Sequence, residues 1–531
     1  MTVPELRPWR TAGPRVARAA GAVRPRLTRF ARTAKPRVAR FARATAPQLA
    51  RITRPKTWQY TAGAATAGLA LAAGVVTAAG PWDSTGQRTA ERDRAVALDH
   101  TGGTDHGRGP GNSGTAPGSP RPAPSAGPVL AGLGGTTTGG VKAAPGDRAA
   151  LADLLDPLLK DAPALGERRA AAVVDLTTGK RLYGLDSGTA LTPASTTKIA
   201  TAVAALTALG PDHRLTTRTA LEADTGELVL VGGGDPTLTA REDAHGLASL
   251  RTLAEKTAAA LKKRDVRKVT LSYDTTLYAG TALHPIGVNE NLARVTALMA
   301  DEGRTDDSTS GPAPRVADPA DAAARAFAGF LKQHGITASP PGPSKATGRA
   351  ATLATVSSPP LPALVERMLT NSDNDLAEAL ARHTAVATGK RADFAGAGAA
   401  ITARLKQLGL PVDGARFHDG SGLDRTDLIT PDLLTALLTE AADPSRPQLR
   451  PVLTGLPVAH FTGTLAGRYT DGAAGLVRAK TGTLTGVNTL AGTITTPDGH
   501  LLGFAFLANA TTDPWAAQTT LDRAATALAS P

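Results

Sequence analysis

The chain has 531 residues, ten histidines, no cysteine and a formal net charge of +13. Without cysteine there are no disulfides, thiol nucleophiles or cysteine metal sites, and no histidine falls in an HExxH spacing, so neither a metal nor another cofactor is expected. The charge belongs to one end: about 15 Lys and Arg lie up to Lys56 against Glu5 alone, which leaves the rest near neutral and removes most of the support for a nucleic-acid partner.

Residues 1–57 carry an 11-residue repeat, in which Pro14, Pro25, Pro36 and Pro47 each open a variant of Pro-Arg-Val-Ala-Arg. Eleven residues are close to three helical turns, so Val16, Leu27, Val38 and Leu49 would share one side. Such a basic, apolar-striped tail suits adsorption to anionic lipid at a cytoplasmic face, or it is a solvated basic tail. Residues 58–80 follow, with an uncharged stretch from Thr61 to Gly80 near the roughly 20 residues a membrane span needs. Positive charge before it places the tail inside and everything after Pro81 outside, whether the segment is an uncleaved anchor or a signal peptide cut near Thr77-Ala78-Ala79. Residues 81–144 are rich in Gly, Pro, Ser and Thr and read as a tether that cannot bury a core.

The folded part is expected from residue 145, as a first catalytic part over 145–213, an inserted domain over 214–348 and a second catalytic part over 349–531. Two strand-like runs, 169–175 and 180–184, flank Thr177-Thr178-Gly179 and predict a hairpin. A helix is expected over 195–209. The middle stretch mixes strands such as 227–231 with helices such as 247–263. Helices are expected at 365–369 and 376–387, with a short loop between them. Strands at 476–483, 487–495 and 501–507 should run antiparallel, the last two joined at Pro497-Asp498-Gly499, before a final amphipathic helix over 515–528. This order implies an α/β fold, an antiparallel sheet covered by helices with a mixed α/β insertion.

Three motifs fall at chosen places on these elements. Ser195-Thr196-Thr197-Lys198 opens a helix, Ser372-Asp373-Asn374 occupies an inter-helix loop, and Lys480-Thr481-Gly482 lies on a strand before the terminal helix. Residues three apart on a helix share a face, so Lys198 can reach the Ser195 hydroxyl. That hydroxyl is a weak nucleophile until a base takes its proton, and a lysine can be that base only when desolvation or a nearby cation, here Lys480, lowers its pKa. Ser372 can relay a proton to a leaving amine, and Asn374 can hold both Lys198 and a substrate amide. The strand Lys480–Thr483 offers backbone to an added peptide strand, Thr481 and Thr483 offer hydroxyls to a terminal carboxylate, and the amides of Ser195 and Thr483 would make an oxyanion hole. Taken singly each motif also has a structural reading: Ser195 as a first-turn residue, Ser372-Asp373-Asn374 as a polar loop with Asp375 and Glu378 as a capping box, Lys480 as a charged strand residue and Gly482 as a bulge. Their order and placement favour the chemistry.

With these motifs the region from about Ala150 resembles the low-molecular-mass penicillin-binding proteins of the D-alanyl-D-alanine carboxypeptidase/endopeptidase family, the branch with a large insertion. Leu230 to Leu238, Asn289-Glu290-Asn291 and Asp419-Gly420-Ser421-Gly422-Leu423 are similar to segments typical of it. The resemblance implies a β-lactamase/transpeptidase-like fold and hydrolysis of terminal D-Ala-D-Ala in peptidoglycan stem peptides, often with endopeptidase cleavage of cross-links, through an acyl-enzyme on Ser195. It also implies acylation by β-lactams, and transfers roles to Ser195, Lys198, Ser372, Asn374 and Lys480, with Thr481, Gly482 and Thr483 binding substrate. The alternatives are a serine β-lactamase, disfavoured because no glutamate lies between Glu378 and Glu440 to activate a deacylating water, and a non-catalytic cell-wall-binding scaffold.

Overall fold

The computed structural model describes residues 148–469, 472–496 and 498–529. The basic repeats, the apolar segment 58–80 and the linker 81–144 lie outside the described residues. Among the described residues no helix is long and apolar enough to cross a membrane.

The main lobe is built on a five-stranded antiparallel sheet. In chain order its strands are β1 (Arg168–Asp175), β2 (Arg181–Leu185), β9 (Val477–Leu484), β10 (Val487–Thr495) and β11 (Leu501–Asn509), arranged in space as β2-β1-β11-β10-β9. The hairpin β1–β2 closes because the Asp175 carboxylate accepts the amides of Thr177 and Thr178, both at 2.8 Å. β1 and β11 pair over their full length, from Arg168↔Asn509 to Asp175↔Leu502, so the first and last strands of the chain's folded part lock together.

Both faces of this sheet are covered. Against one face pack α1 (Arg148–Leu159) and the terminal helix α10 (Pro514–Ala529), with Leu155, Leu159, Leu521 and Ala525 meeting Val173, Leu490, Phe504 and Phe506. Against the other lie α2 (Thr197–Leu209), α5 (Leu361–Asn371), α6 (Asn374–Ala387), α7 (Phe394–Gln407) and α8 (Pro431–Ala442). From Thr197 to Leu206 every residue of α2 is buried, so it is the central post of this layer rather than an amphipathic surface helix. A short helix, α9 (Pro451–Thr454), follows α8.

The second lobe interrupts the chain between α2 and α5. Its sheet runs β6 (Thr337–Ala338), β5 (Lys268–Asp274), β4 (Glu227–Val231), β3 (Thr216–Leu221), β8 (Ala351–Ser357), with β7 (Gly342–Pro343) also on β5. The β4–β5 pair is parallel, with α3 (Leu250–Lys262) crossing between, while β3 is antiparallel to both neighbours. α3 and α4 (Pro319–Gln333) bury Leu253, Ala254, Phe327 and Leu331 against Leu228, Leu230 and Leu271. β8 belongs to this lobe, so the inserted sheet extends past residue 348, where the sequence reading ended it. The reason is topological: β3 needs a partner on its outer side, and the strand returning to the main lobe supplies it. The glycines at 232–234 form a tight crossing, with the Gly234 amide donating to Ala297 O at 2.7 Å.

Candidate active site

The helix expected from Ser195 starts as an α-helix two residues later. Ala194–Thr196 form a 3₁₀ turn in which Ala194 takes φ +48°, and α2 proper begins at Thr197. The Pro193 carbonyl accepts the hydroxyls of Thr196 and Thr489, each at 2.7 Å, so the turn is tied to its own helix and to β10. Gly482 presses on it from β9. A Cβ there would lie 2.1 Å from Thr489 Oγ1 and 2.6 Å from Pro193 O, closer than atoms can approach. Gly482 therefore lets β9 come close to the Ser195 turn, a packing role beside the substrate contact expected of it.

Ser372 caps α5 in the left-handed conformation (φ 57°, ψ 38°), which costs a serine about 1–3 kcal/mol. The next residue, Asp373, already caps α6 by accepting the Leu376 amide at 2.9 Å, so two helices meet with only Ser372 and Asp373 between them. Glu378 is not the capping-box partner that was an alternative for this loop; its carboxylate instead accepts the amides of Gly420 and Ser421 at 3.0 and 2.9 Å.

Ser195, Ser372, Asn374, Thr481 and Thr483 line one cleft of about 370 Å³, together with Asn291, Arg304, Arg315, Thr464, Arg468 and Gln518. Lys198 and Lys480 lie fully buried at this site. The Lys198 ammonium donates to Ser195 Oγ at 2.9 Å, Asn374 Oδ1 at 2.7 Å and Ser421 O at 2.7 Å, which satisfies its three protons. Asn374 is itself oriented, because its Nδ2 donates to Asn291 O at 2.8 Å. The Lys480 ammonium donates to Thr481 O at 2.8 Å.

Burial pushes the Lys198 pKa down to about 8, against the upward pull of Asp419, Glu378, Asp373 and Asp375. Burial also drives Lys480 well below the ordinary lysine value, reinforced by the positive charges of Lys198 and Arg468. Desolvation is the main cause at both lysines, and the two neighbouring ammoniums disfavour each other's charge.

The outer edge of β9 is partly covered. Ala479 N donates to Pro457 O at 2.9 Å and the Thr481 hydroxyl meets that of Thr464 at 2.9 Å, while Thr483 is exposed beside the cleft. An extended peptide could add to this free end. Arg468 reaches the same cleft from the loop before β9, its Nε on Asp522 Oδ2 at 2.9 Å. No local sequence pattern pointed to Arg468 or Thr464. Asn291 and Ser421, by contrast, lie in segments already singled out in the sequence.

Residues 151–314 and 305–529 match the D-Ala-D-Ala carboxypeptidase 3 (S13) family. The chain belongs to that family. It is 36% identical over 364 residues to carboxypeptidase Rv3627c of Mycobacterium tuberculosis, covering 65% of this chain and 77% of that one. It is 29% identical over 439 residues to a D-alanyl-D-alanine carboxypeptidase of Actinomadura sp., covering 68% of this chain and 81% of the relative. The fold resembles the crystal structure of penicillin binding protein 4 from Haemophilus influenzae, with a TM-score of 0.58 at 22% identity, over 70% of this chain and 97% of that one.

Proposed function

We propose that this S13-family chain is a serine-type D-alanyl-D-alanine carboxypeptidase acting on peptidoglycan stem peptides, with Ser195 as nucleophile. The observation that carries this reading is the Lys198 ammonium 2.9 Å from Ser195 Oγ, fully buried and lowered to about 8. A lysine so placed is neutral often enough near neutral pH to take the serine proton. Ser195 Oγ then attacks the carbonyl carbon of the penultimate D-Ala, and the developing oxyanion meets the amides of Ser195 and Thr483. Collapse breaks the C–N bond, the departing D-Ala amine takes a proton delivered through Ser372, and water later cleaves the acyl ester to free the shortened peptide and Ser195. Thr481, Thr483 and Arg468 suit the terminal carboxylate. β-Lactams would acylate Ser195 in the same manner.

The β-lactamase alternative finds no support. Glu378 spends its carboxylate on Gly420, Ser421 and Arg382 and does not line the cleft. For the whole chain we propose an extracytoplasmic catalytic region tethered by residues 81–144 to a membrane segment at 58–80, since positive charge precedes that apolar stretch.

Fluorescent penicillin and a D-Ala release assay on a pentapeptide test the reading. Wild type should label durably and release D-Ala, and Ser195→Ala should do neither. No label and no release would leave the scaffold reading in its place; rapid loss of label would favour a β-lactamase.

A further inference from the structure

The segment Asp419-Gly420-Ser421-Gly422-Leu423 makes no bond to substrate in the steps above, yet its backbone touches the Lys198 ammonium through Ser421 O at 2.7 Å. What holds that carbonyl in place is a buried acid, Asp419. One of its oxygens accepts the amides of Ser421 at 3.0 Å and Gly422 at 2.6 Å. The other accepts the Asp424 amide at 2.7 Å, the Ser421 hydroxyl at 3.2 Å and His284 Nε2 at 2.9 Å. His284 comes from the inserted lobe. Its Nδ1 accepts the Ile286 amide at 3.2 Å, so the ring proton sits on Nε2 and points at Asp419. Both side chains are buried, and Gly422 (φ +80°) lies so close to the Ser195 turn that a Cβ there would be 1.9 Å from Ala194 O.

We propose that Asp419, oriented by His284 of the inserted lobe, is a positioning residue that tunes Lys198 as the base of acylation, by fixing Ser421 O on the ammonium and keeping a buried negative charge beside it. This rests on the Ser195–Lys198 reading above. Lys198 faces Asp419 on this loop, Asp373, Asp375 and Glu378 on and before α6, and Lys480 on β9. Asp419 faces His284, Glu378 and Asp427. Although burial opposes its charge, the His284 and backbone donors hold the Asp419 carboxyl below the ordinary range, while burial and the Asp419 charge push Asp427 up to about 10. The acid pair thus carries one charge and one proton, with the charge on the member that grips the Ser421 loop.

Removing that charge makes protonated Lys198 less favourable, so the midpoint of the acylation–pH profile moves down. The experiment measures the rate of labelling of the full chain by fluorescent penicillin from pH 6 to 10. Asp419→Asn should lower the midpoint by about one pH unit, alongside any fall in the plateau. His284→Ala should move it the same way, since Asp419 then holds its charge less firmly. His284→Gln, which can still donate to Asp419, should return it toward wild type. If Asp419→Asn does not fold, the His284 pair carries the test. Midpoints that stay put while amplitudes fall would reduce the network to a structural brace and overturn the inference alone. A wild type that takes no label overturns the Ser195 reading and this inference with it.

Discussion

Asp427 offers a test of the electrostatics at this site that does not depend on turnover. Its carboxyl is buried, accepts the His418 amide at 2.6 Å, and hydrogen-bonds Asp419. Burial and the neighbouring charge raise it to about 10, so the folded protein keeps a proton there that an unfolded aspartate releases near pH 4. The folded state therefore binds more protons than the unfolded one between those values, and stability falls as pH rises through that window. Each pH unit costs at most about 1.4 kcal/mol, so from pH 6 to pH 8 this one group removes up to about 2.7 kcal/mol. Asp427→Asn keeps the geometry of the protonated acid: Oδ1 can accept from His418 and Nδ2 can donate to Asp419. It has no proton to lose. Thermal unfolding of wild type and variant at pH 6, 7, 8 and 9 should show the variant already ahead at pH 6, by a margin that widens at each step. A difference that stays constant from pH 6 to pH 9 would mean that Asp427 is ionised in the folded protein, and the shared-proton account of the acid pair would fall.

Three further outcomes follow from the site. The wild-type rate of penicillin acylation should rise with pH around a midpoint near 8, with about a tenth of the Lys198 base free at pH 7; a profile flat from pH 6 to 9 would exclude Lys198 as the base. Gly482→Ala should lose labelling and about 1–3 kcal/mol of stability, because the new Cβ meets Thr489 Oγ1 and Pro193 O; unchanged labelling kinetics would show that the Ser195 turn does not need this close approach. Arg315→Met removes the partner at 2.9 Å from the buried Asp375 carboxyl; burial already lifts that carboxyl to about 7, so it takes up a proton and the loss in denaturation should be about 1–3 kcal/mol. Adding Asp375→Asn should recover much of that.

The main-lobe elements were legible in the sequence because their periods are strong. The runs at 476–483, 487–495 and 501–507 became β9 (Val477–Leu484), β10 (Val487–Thr495) and β11 (Leu501–Asn509), and the terminal helix fell within a residue of its expected ends. The three motifs were legible because each marks a junction that local chemistry enforces. Less of the second lobe could be read. β8 carries no signal that tells a strand of one sheet from a strand of the other; only its pairing with β3 decides that. Arg468 was missed for a similar reason: it is a lone arginine in a loop, and what brings it to the cleft is the Asp522 carboxylate of α10, far along the chain. Gly482 lies on the expected strand, and only the approach of Pro193 shows what its missing side chain is for.

The second lobe grips the loop between α5 and α6 rather than hanging beside it. Asn291 O accepts from Asn374, and the Ala293 amide donates to Asp375 Oδ1 at 3.0 Å. Arg315 pairs with Asp375, and Glu302 accepts Arg367 of α5 at 2.7 Å. Burial works against a charge on Glu302, but a proton shared from Asp373 and the guanidiniums of Arg367 and Arg304 hold its carboxyl below the ordinary range. Burial and the Glu302 charge in turn keep Asp373 well above it. The central residue of the second motif is thus a neutral hydrogen-bond partner of the insertion. His284 makes the same kind of connection to the Asp419 loop. Both sides of Lys198, Asn374 on one and Ser421 O on the other, are therefore set by residues of the second lobe. Excising that lobe would not leave a smaller working enzyme. It would uncover Asp373, Asp375 and Asp419 together, and with them release the two oxygens that, beside Ser195, complete the hydrogen bonding of the Lys198 ammonium.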